Sequence, residues 1–353
     1  MNWKNFGLLS TLALAVFVGC GPAETVTDIN DLDLGTDGAT LEGAVVIDGS
    51  STVYPISEAA AAAFREEQPN VSVTVGKSGT GGGFKRFVKN ETDISDASRP
   101  IKKNEFDSCA ESQVAFIELP IAYDGLTFVV NKENTFVDQL TVDQLKQIFR
   151  ESDNKALTWK DVNDAWPDEK IALFAPGTDS GTFDYFKEVI EGKDEGVNIR
   201  GDMSTSEEDN VLVNGVAGAP FALGFFGCSY YYENQDRLNA VAIVNSAGEA
   251  VGPEKEAIEN GSYNPFSRPL FIYVKASSLA SPQVSEFVDY YVNHAGKLAG
   301  DSGYVALPES VYEMAKKHLD EKLTGTHFMD KQGEKIKGSV TDLYKAEAIV
   351  DIE

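Results

Sequence analysis

Residues 45–69 read VVIDGSSTVYPISEAAAAAFREEQP, and this stretch contains the pattern that decides the fold. The β-branched run at residues 45–48 predicts a strand. A Gly-Ser-Ser-Thr turn follows at residues 49–52, and an Ala-rich segment at 57–67 then places its apolar side chains on one side, as a helix does. Pro69 lies just beyond the predicted end of that helix. The stretch therefore predicts a strand, a turn and a helix in direct succession.

The same succession recurs further along the chain. A half-buried strand is predicted at residues 71–75 and another strand at 171–174, and each is followed by a turn rich in Gly or Ser. The helices predicted after these turns span residues 84–89 and 183–190. Alternating strands and helices indicate an α/β protein with mostly parallel sheets, in which ligands bind at the carboxyl ends of the strands.

The longest apolar run, at residues 114–131, is rich in β-forming residues but includes Pro120 and the pair Asp124-Gly125. Because proline cannot donate a ladder hydrogen bond, we expect these positions to break the run. Further predicted elements are a helix that a capping box opens at residues 141–144, a strand at 270–274, and helices at 284–292 and 309–323.

Length and charge limit the functions to consider. The chain has 353 residues, which suggests two ordinary domains, and 42% of them are hydrophobic, enough to form cores. Lys and Arg number 30 against 56 Asp and Glu, so the formal charge is −26. This charge argues against a nucleic-acid partner and against electrostatic binding to an anionic membrane. A small anion stays compatible, since local donors can outweigh the global field.

Histidine and cysteine are scarce. The three His are His294, His318 and His327, so His-based catalysis and a His-rich metal site are not expected in the rest of the chain. We expect neither a metal nor a cofactor. Three Cys are too few for a disulfide scaffold. Cys109 and Cys228 could pair in an oxidising compartment, and two separate buried thiols are the alternative.

The N-terminus predicts export. Lys4 provides a short positive region, and the apolar run at residues 6–18 is too short to span a bilayer. The run ends in Val-Gly before Cys20, which resembles the lipobox of bacterial lipoproteins, where the signal is cut before a lipidated Cys. We therefore expect a signal peptide at residues 1–19 and a lipidated tether at 20–43. An ordinary signal peptide with an incidental Cys is the alternative.

Three turns share a composition that suits an anion. They read GSSTVYP at residues 49–55, SGTGGG at 78–83 and PGTDSGT at 176–182, and each joins a predicted strand to a helix. Backbone N–H groups and the positive dipole end at a helix start attract anions, while Ser and Thr hydroxyls add donors. A single turn of this kind is usually only a helix N-cap. Three of them in one chain favour an anion site.

A fourth segment, DISDASRPIK at residues 93–102, adds charged groups. Arg99 follows a predicted strand end, and a guanidinium there can hold an oxyanion through two hydrogen bonds. The alternative is a surface Arg paired with one of the many acids. Asp96 is compatible with an anion site only if the ligand is a protonated oxyanion, whose O–H needs an acceptor. Its alternative role is that of a helix cap or a solvated turn residue.

Taken together, these segments resemble one protein family. GSSTVYP, SGTGGG, DISDASRPIK, AYDGLTFVVN, PGTDSGTFDYF and DSGYVALP occur in the same order in the phosphate-binding protein of the bacterial high-affinity phosphate ABC importer, across roughly residues 44–320. The resemblance implies a two-lobed α/β fold, the type II periplasmic-binding-protein fold. Each lobe would be a mostly parallel sheet flanked by helices, with the ligand in the cleft between the lobes. It also implies that inorganic phosphate is bound dehydrated and that the loaded protein, expected to be a monomer, docks on a membrane permease.

The resemblance places the phosphate contacts at positions that match the family's motifs. These positions are Ser51 and Thr52 in the first turn, Ser78 in the second turn, and Ser180, Gly181 and Thr182 in the third turn. The family's acceptor Asp, in a Ser-Asp-x-Pro context, aligns with Ser98, and an Arg that some members have aligns with Pro176. Arg99 is then expected to replace the missing Arg, and Asp96 is the candidate to replace the missing acceptor.

The resemblance also implies how the chain divides. One lobe is expected at residues 44–122 plus 270–353 and the other at 123–269, with crossings near 119–124 and 268–272. The first two turns then lie on one lobe and the third turn on the other, so a ligand that bridges them selects the closed state. The expected function is the capture of phosphate at a periplasmic or cell-surface location and its delivery to an ABC permease, without catalysis.

Other functions stay open at this point. The protein could bind another oxyanion, such as sulfate or molybdate, which is fully ionised and needs donors only. It could be a phosphatase with Ser180 or Ser78 as nucleophile, although no G-x-S-x-G motif surrounds either Ser and no His precedes residue 294. A sensor or adhesion role on the same fold is the third alternative.

Overall fold

The computed structural model describes residues 41–152, 155–178, 180–192, 196–336, 338–345 and 349–351. The predicted signal peptide, the lipidation site Cys20 and the predicted tether up to residue 40 lie outside the described residues. The strands, in chain order, are β1 Gly43–Gly49, β2 Val71–Gly76, β3 Ile94–Ala97, β4 Phe116–Asn131, β5 Gln139–Thr141, β6 Ala172–Pro176, β7 Ser204–Ser206, β8 Ala222–Gly227, β9 Leu238–Ala240, β10 Ala242–Val244, β11 Ala250–Val251 and β12 Ser267–Lys275.

The helices alternate with these strands over most of the chain. They are α1 Tyr54–Glu67, α2 Thr80–Phe87, α3 Lys103–Glu111, α4 Val142–Phe149, α5 Trp159–Val162, α6 Gly181–Glu191, α7 Asp209–Ala217, α8 Cys228–Glu233, α9 Lys255–Glu259, α10 Pro282–Asp301, α11 Glu309–Asp320 and α12 Val340–Leu343, with a 3₁₀ turn at Ala276–Ala280. Among the described residues, no helix is long and apolar enough to cross a membrane.

The helices after the three Gly- and Ser-rich turns begin earlier than apolar periodicity predicts. Helix α1 begins at Tyr54, with Pro55 preorganising its first turn, while α2 begins at Thr80 and α6 at Gly181. The first turn of α2 is Thr-Gly-Gly-Gly, so apolar periodicity detects only its later residues, and the helices predicted at 57–67 and 183–190 begin within the first turns of α1 and α6. Each predicted turn therefore belongs partly to the helix start that follows it.

One sheet of nine strands contains two groups of parallel strands. Strands β2, β1 and β3 pair in parallel, and so do β8, β6 and β7. The long antiparallel pair of β12 and β4 joins the groups, in the order β2-β1-β3-β12-β4-β8-β6-β7, and β9 adds to β4. A small sheet of β11, β10 and β5 lies apart. The α/β alternation predicts the parallel groups correctly.

The expected break in the apolar run is wrong. Strand β4 is continuous over 16 residues, and every one of them is buried. Pro120 is tolerated because the pairing register with β12 shifts between Leu270 and Phe271, and such a bulge absorbs the missing ladder hydrogen bond. A side chain at Gly125 would lie 2.6 Å from Cys228 Sγ, so glycine permits close packing here and does not end the strand.

The predicted chain crossings fall within the central antiparallel pair. The first part of β4 pairs with β12, and residues Leu126–Val130 pair with β8 in the other parallel group. The division into lobes at residues 122 and 270 stays a prediction. Cys109 and Cys228 are two separate, buried, free thiols, and desolvation raises the pKa of each to about 12.

Glu118, in the middle of β4, connects the C-terminal segment to the sheet. Its buried carboxylate accepts hydrogen bonds from Tyr273 OH of β12 at 2.7 Å, from Thr326 Oγ1 at 2.7 Å and from the backbone N–H of His327 at 3.1 Å. Tyr344 OH also donates to the Glu118 carbonyl, at 2.7 Å. Burial raises the pKa of Glu118 to about 7, even though the three bonds to the carboxylate oppose this rise.

We expect Glu118→Ala to lower the free energy of unfolding by about 3–5 kcal/mol, because it leaves three buried donors without an acceptor. Glu118→Gln keeps the shape and leaves an oxygen and an amide that rotated hydroxyls can satisfy, so its loss should stay below about 1 kcal/mol. Urea unfolding of both variants measures the difference. Equal losses in the two variants would contradict the importance of these hydrogen bonds.

Candidate functional site

A cavity of about 260 Å³, the cleft cavity, lies at the carboxyl ends of β1 and β3. Hydroxyl groups, glycines and charged side chains form most of its wall. The lining residues are Ser50, Ser51, Thr52, Gly79, Thr80, Gly81, Ser98, Arg99, Asp184, Tyr185, Glu188 and Arg268. The first two predicted turns, the Ser-Arg-Pro segment after β3 and helix α6 therefore meet around one space.

The wall of this cavity depends on a close approach of backbones. At Gly49, the last residue of β1, φ is +154°, and a side chain there would lie 2.1 Å from the Asp96 carbonyl. A side chain at Gly181 would lie 2.5 Å from the Thr52 Cα. Only glycine fits at both positions, and the start of α6 can therefore pack directly on the turn after β1.

Two side-chain hydrogen bonds link the first turn to α6. Ser51 Oγ donates to Asp184 Oδ2 at 2.7 Å, and Thr52 Oγ1 donates to the Gly181 carbonyl at 3.3 Å. These residues are about 130 positions apart in the sequence, with separations of 133 and 129. The structure thus brings Ser51, Thr52 and Gly181, three of the predicted site residues, into one place.

Arg268, at the start of β12, is a cation of this cavity that the sequence analysis missed. Its Nη2 donates to Thr52 Oγ1 at 2.9 Å, its Nη1 to Glu188 at 3.2 Å and its Nε to Asp124 at 3.2 Å. The guanidinium also stacks on the Tyr185 ring, with its carbon 3.7 Å from the ring centroid. Burial raises the pKa of Asp124, and the charge of Arg268 opposes this rise. Together, these contacts fix the orientation of the Arg268 side chain.

A sequence signal for Arg268 existed. The tripeptide Ser-Arg-Pro occurs at residues 98–100 and again at 267–269. Because β3 and β12 are antiparallel neighbours, the end of β3 and the start of β12 meet at one edge of the sheet. Both arginines therefore line the cleft cavity, but the pairing of the strands had to be known before this could be seen.

Arg99 lines the cavity with its charge already paired. Its Nη1 and Nη2 each donate to a carboxylate oxygen of Glu105, at 2.8 Å in both cases, and Nη1 also contacts the Pro100 carbonyl at 3.2 Å. Glu105 belongs to α3, where it also accepts a hydrogen bond from the backbone of Lys102. A bidentate partner in fixed geometry satisfies much of the guanidinium. The prediction that Arg99 holds a ligand stays a prediction.

The hydroxyl groups of the second turn and the segment after β3 are arranged differently from the expectation. Ser78 is exposed, does not line the cleft cavity, and donates its backbone N–H to Asp48 at 2.9 Å. Thr80, which the sequence analysis did not single out, lines the cavity, and its Oγ1 lies 3.2 Å from Ser98 Oγ and accepts from Ser98 N at 3.2 Å. Thr80 is the first residue of α2. The sequence predicted that this helix begins at residue 84, so Thr80 was not recognised as part of the helix start.

The third turn faces a neighbouring space. Ser180, Gly181 and Thr182 line a second cavity of about 270 Å³, and Ser51 lines both cavities. Ser180 is the N-cap of α6, and its Oγ accepts from Thr182 N at 3.2 Å. Ser51 thus borders both spaces, and the predicted contacts of the third turn stay predictions.

Asp96 points to the interior of the protein. Its side chain is 0% exposed, and Oδ2 accepts from Ser57 Oγ of α1 at 2.8 Å, which lies 3.0 Å from Tyr291 OH of α10. Oδ1 has no hydrogen-bond partner in the part of the chain that the structure describes. Desolvation raises the pKa of Asp96 to about 7, although the hydrogen bond from Ser57 lowers this pKa. Asp96 lines neither cavity, and its proposed role as a ligand acceptor stays a prediction.

The charges around the cleft cavity are balanced. Arg99 and Arg268 are positive, and Asp184 and Glu188 are negative, so the lining residues carry no net formal charge. An anion must therefore be held by hydroxyls, backbone N–H groups and oriented arginines, together with acceptors for any hydrogen it carries. Within the described ranges, no group of three or more His, Cys, Asp or Glu could hold a metal ion.

The fold and the cavity define a solute-binding protein of the α/β type. The family model described as a PBP superfamily domain matches residues 35–294. The chain is 47% identical to protein SphX of Synechococcus elongatus over 306 residues, 86% of this chain and 89% of that protein. It is 41% identical to the phosphate-binding protein PstS of Staphylococcus haemolyticus over 280 residues, 79% of this chain and 86% of that protein. The chain therefore belongs to the PBP superfamily and, within it, to the family of the PstS-type phosphate-binding proteins.

A solved structure agrees with this assignment. The crystal structure of a possible phosphate binding protein from Planctomyces limnophilus has a TM-score of 0.76 and 43% identity, and the match covers 80% of this chain and 99% of that chain. The expected α/β fold class and the family resemblance are thereby confirmed.

We expect Asp96→Asn to stabilise the protein at pH 8 and to have little effect near pH 4. The folded state holds the Asp96 proton up to about pH 7, whereas the unfolded chain releases it near the ordinary value of 3.8. The group therefore lowers the stability of the native protein as pH rises through this window, by up to about 4 kcal/mol. The amide keeps the bond from Ser57 without the charge. Unfolding at both pH values tests this, and an equal effect at both would contradict it.

Proposed function

We propose that this protein captures inorganic phosphate outside the cytoplasm and delivers it to an ABC permease. The observation that supports this most is the cleft cavity, where the turns after β1 and β2, Arg268 and α6 surround one space lined with hydroxyl groups. The helix starts supply backbone N–H donors for an oxyanion, the hydroxyls add further polar groups, and Arg268 supplies a positive charge held in a fixed orientation. The similar PstS protein of Staphylococcus haemolyticus is named a phosphate-binding protein.

The balanced charge of the cavity favours phosphate over sulfate or molybdate. A fully ionised oxyanion needs donors only, and carboxylates near it are repulsive. Phosphate keeps at least one hydrogen near neutral pH, so Asp184 and Glu188 in the wall can accept it. This supports a site for a protonated oxyanion.

Binding without catalysis is the second part of the proposal. Ser180, one of the two candidate nucleophiles, uses its hydroxyl to cap α6, and Ser78 lies outside the cleft cavity. His318 and His327 are buried and stack on each other, with ring centroids 4.9 Å apart, and His294 Nδ1 donates to the Tyr290 carbonyl at 2.8 Å. None of the three lines the cleft cavity, so no imidazole is available there as a base.

The position of α6 supports closure around the ligand. Helix α6 contacts Ser51 and Thr52 of the first turn, and the proposed division of the chain assigns α6 and this turn to opposite lobes. A phosphate that bonds to both walls would favour this closed arrangement over an open one.

The proposal includes a location and partners. We propose that residues 1–19 form a signal peptide, that Cys20 receives the lipid, and that residues 20–43 tether a monomeric binding domain to a bacterial membrane. The apolar run before Val-Gly-Cys supports this. The acidic chain would then meet phosphate and the permease at the membrane, without nucleic acid as a partner.

Calorimetric titration with phosphate and with sulfate tests the function, on protein freed of bound ligand by unfolding and refolding. Thr52→Val should weaken phosphate binding by about tenfold or more, because it removes a hydroxyl of the wall that also orients Arg268. Thr92→Val is the matched control, since both threonines are 2% exposed and the Thr92 hydroxyl has no partner among the described residues and lies outside both cavities.

The titrations separate the alternatives. Phosphate binding without sulfate binding supports the proposal, and equal binding of both would indicate a general oxyanion carrier. If the protein binds neither phosphate nor sulfate, the proposed function is wrong. Equal phosphate affinities of Thr52→Val and Thr92→Val would place the ligand away from the cleft cavity.

We expect Cys20→Ala to release the exported protein from the membrane fraction of a bacterial host, because the thiol that would bear the lipid is absent. Fractionation and immunoblotting of native and variant protein measure this. Membrane retention of the variant would contradict the lipid anchor while leaving phosphate binding untouched.

A further inference from the structure

Two acidic residues, Asp184 and Glu188, line the cleft cavity, and they differ in their partners. Asp184 Oδ2 accepts the hydrogen of Ser51 Oγ at 2.7 Å, and within the described ranges Asp184 forms no ion pair. Glu188 pairs with Arg268, and Glu105, behind the wall, pairs with Arg99. Asp184 is thus a lining carboxylate with no cation to compensate it.

Such a carboxylate is unfavourable beside an ordinary anion. Asp184 is exposed, so water solvates its charge when the cavity is open to solvent. An oxyanion in the cavity would displace that water and bring two negative charges together. The repulsion becomes an attraction if the ligand itself donates a hydrogen to the carboxylate, because hydrogen bonds to a charged acceptor are strong.

Ser51 extends the acceptor character of this wall. A serine hydroxyl has one hydrogen, and in this structure Asp184 receives it. The Ser51 oxygen can then only accept a further hydrogen bond. Arg268, which contacts Thr52 and Glu188 next to this pair, is a donor only. The cavity therefore combines a donor-only cation with an acceptor pair.

We propose that Asp184, acting with Ser51, is the residue that makes this site select an oxyanion that carries a hydrogen. This rests on the proposed function and adds its selectivity. Ser98 stands where the family resemblance expects an acceptor Asp, and Asp96 faces Ser57, so neither supplies a carboxylate to the cavity. Asp184 belongs to α6 and Ser51 to the turn after β1, so the acceptor pair exists only when these elements are in contact.

The test is Asp184→Asn, titrated with phosphate and with sulfate. The amide keeps the size of the side chain and replaces one acceptor oxygen with a donor. We expect phosphate affinity to fall by about tenfold or more, and sulfate, which carries no hydrogen at neutral pH, to bind measurably. The gain of sulfate binding is the result that a merely structural role of Asp184 would not produce.

Asp342→Asn is the matched control. Asp342 is also an exposed Asp that accepts a serine hydroxyl, from Ser339 at 2.8 Å, and it lies outside the cleft cavity. Its substitution should change neither affinity. Thermal unfolding of both variants verifies that they fold.

The outcomes separate this inference from the proposed function. If the native protein binds phosphate and Asp184→Asn keeps the native affinities for both ions, the function stands and the inference is wrong. If the folded variant no longer binds phosphate and does not bind sulfate either, Asp184 holds α6 in place and does not accept a hydrogen bond from the ligand. This result also overturns the inference. If the native protein binds neither ion, the function itself is wrong.

Discussion

The ion pair of Arg268 and Asp124 is the interaction on which both the sheet and the site depend. The two residues are directly opposite each other in the ladder of β12 and β4, the antiparallel pair that joins the two groups of parallel strands. Asp124 is almost fully buried, so the charge of the arginine is needed to offset the cost of burying the carboxylate. The same arginine extends past the strand to Thr52 and Glu188 at the cavity. One cross-strand pair therefore connects the centre of the fold to the walls of the cleft.

The geometry also explains how an acidic protein can bind an anion. The chain has a formal charge of −26, and the lining residues of the cleft cavity add no positive excess. Attraction must come from groups within a few ångströms, because salt screens charges that are further away. Helix starts, hydroxyls and a guanidinium held on Tyr185 act at that range. Acceptors placed among them then determine which oxyanion fits, which a uniformly positive pocket could not do.

Sequence reasoning succeeded where the information is local. The strand, turn and helix at residues 45–69 are predicted because β-branched residues, small turn residues and an Ala-rich segment each restrict the backbone directly. It failed at Pro120, because a register shift in the partner strand β12 accommodates the proline, and that strand lies some 150 residues later in the chain. It also placed the start of α2 too late, which hid Thr80. Small residues at a helix start leave no apolar period to detect.

The sequence by itself determined the α/β class, the hydroxyl-rich turns at helix starts and the family, since these depend on short segments whose residue types restrict their own conformation. Only the tertiary structure decided which charged groups face the cavity. Arg99 is paired with Glu105, whereas Arg268 reaches Thr52, and Asp96 is turned toward Ser57 while Asp184 meets Ser51. Most of these partners are far apart in the sequence. Their pairing depends on strand register and helix packing, and no local preference of a side chain encodes either.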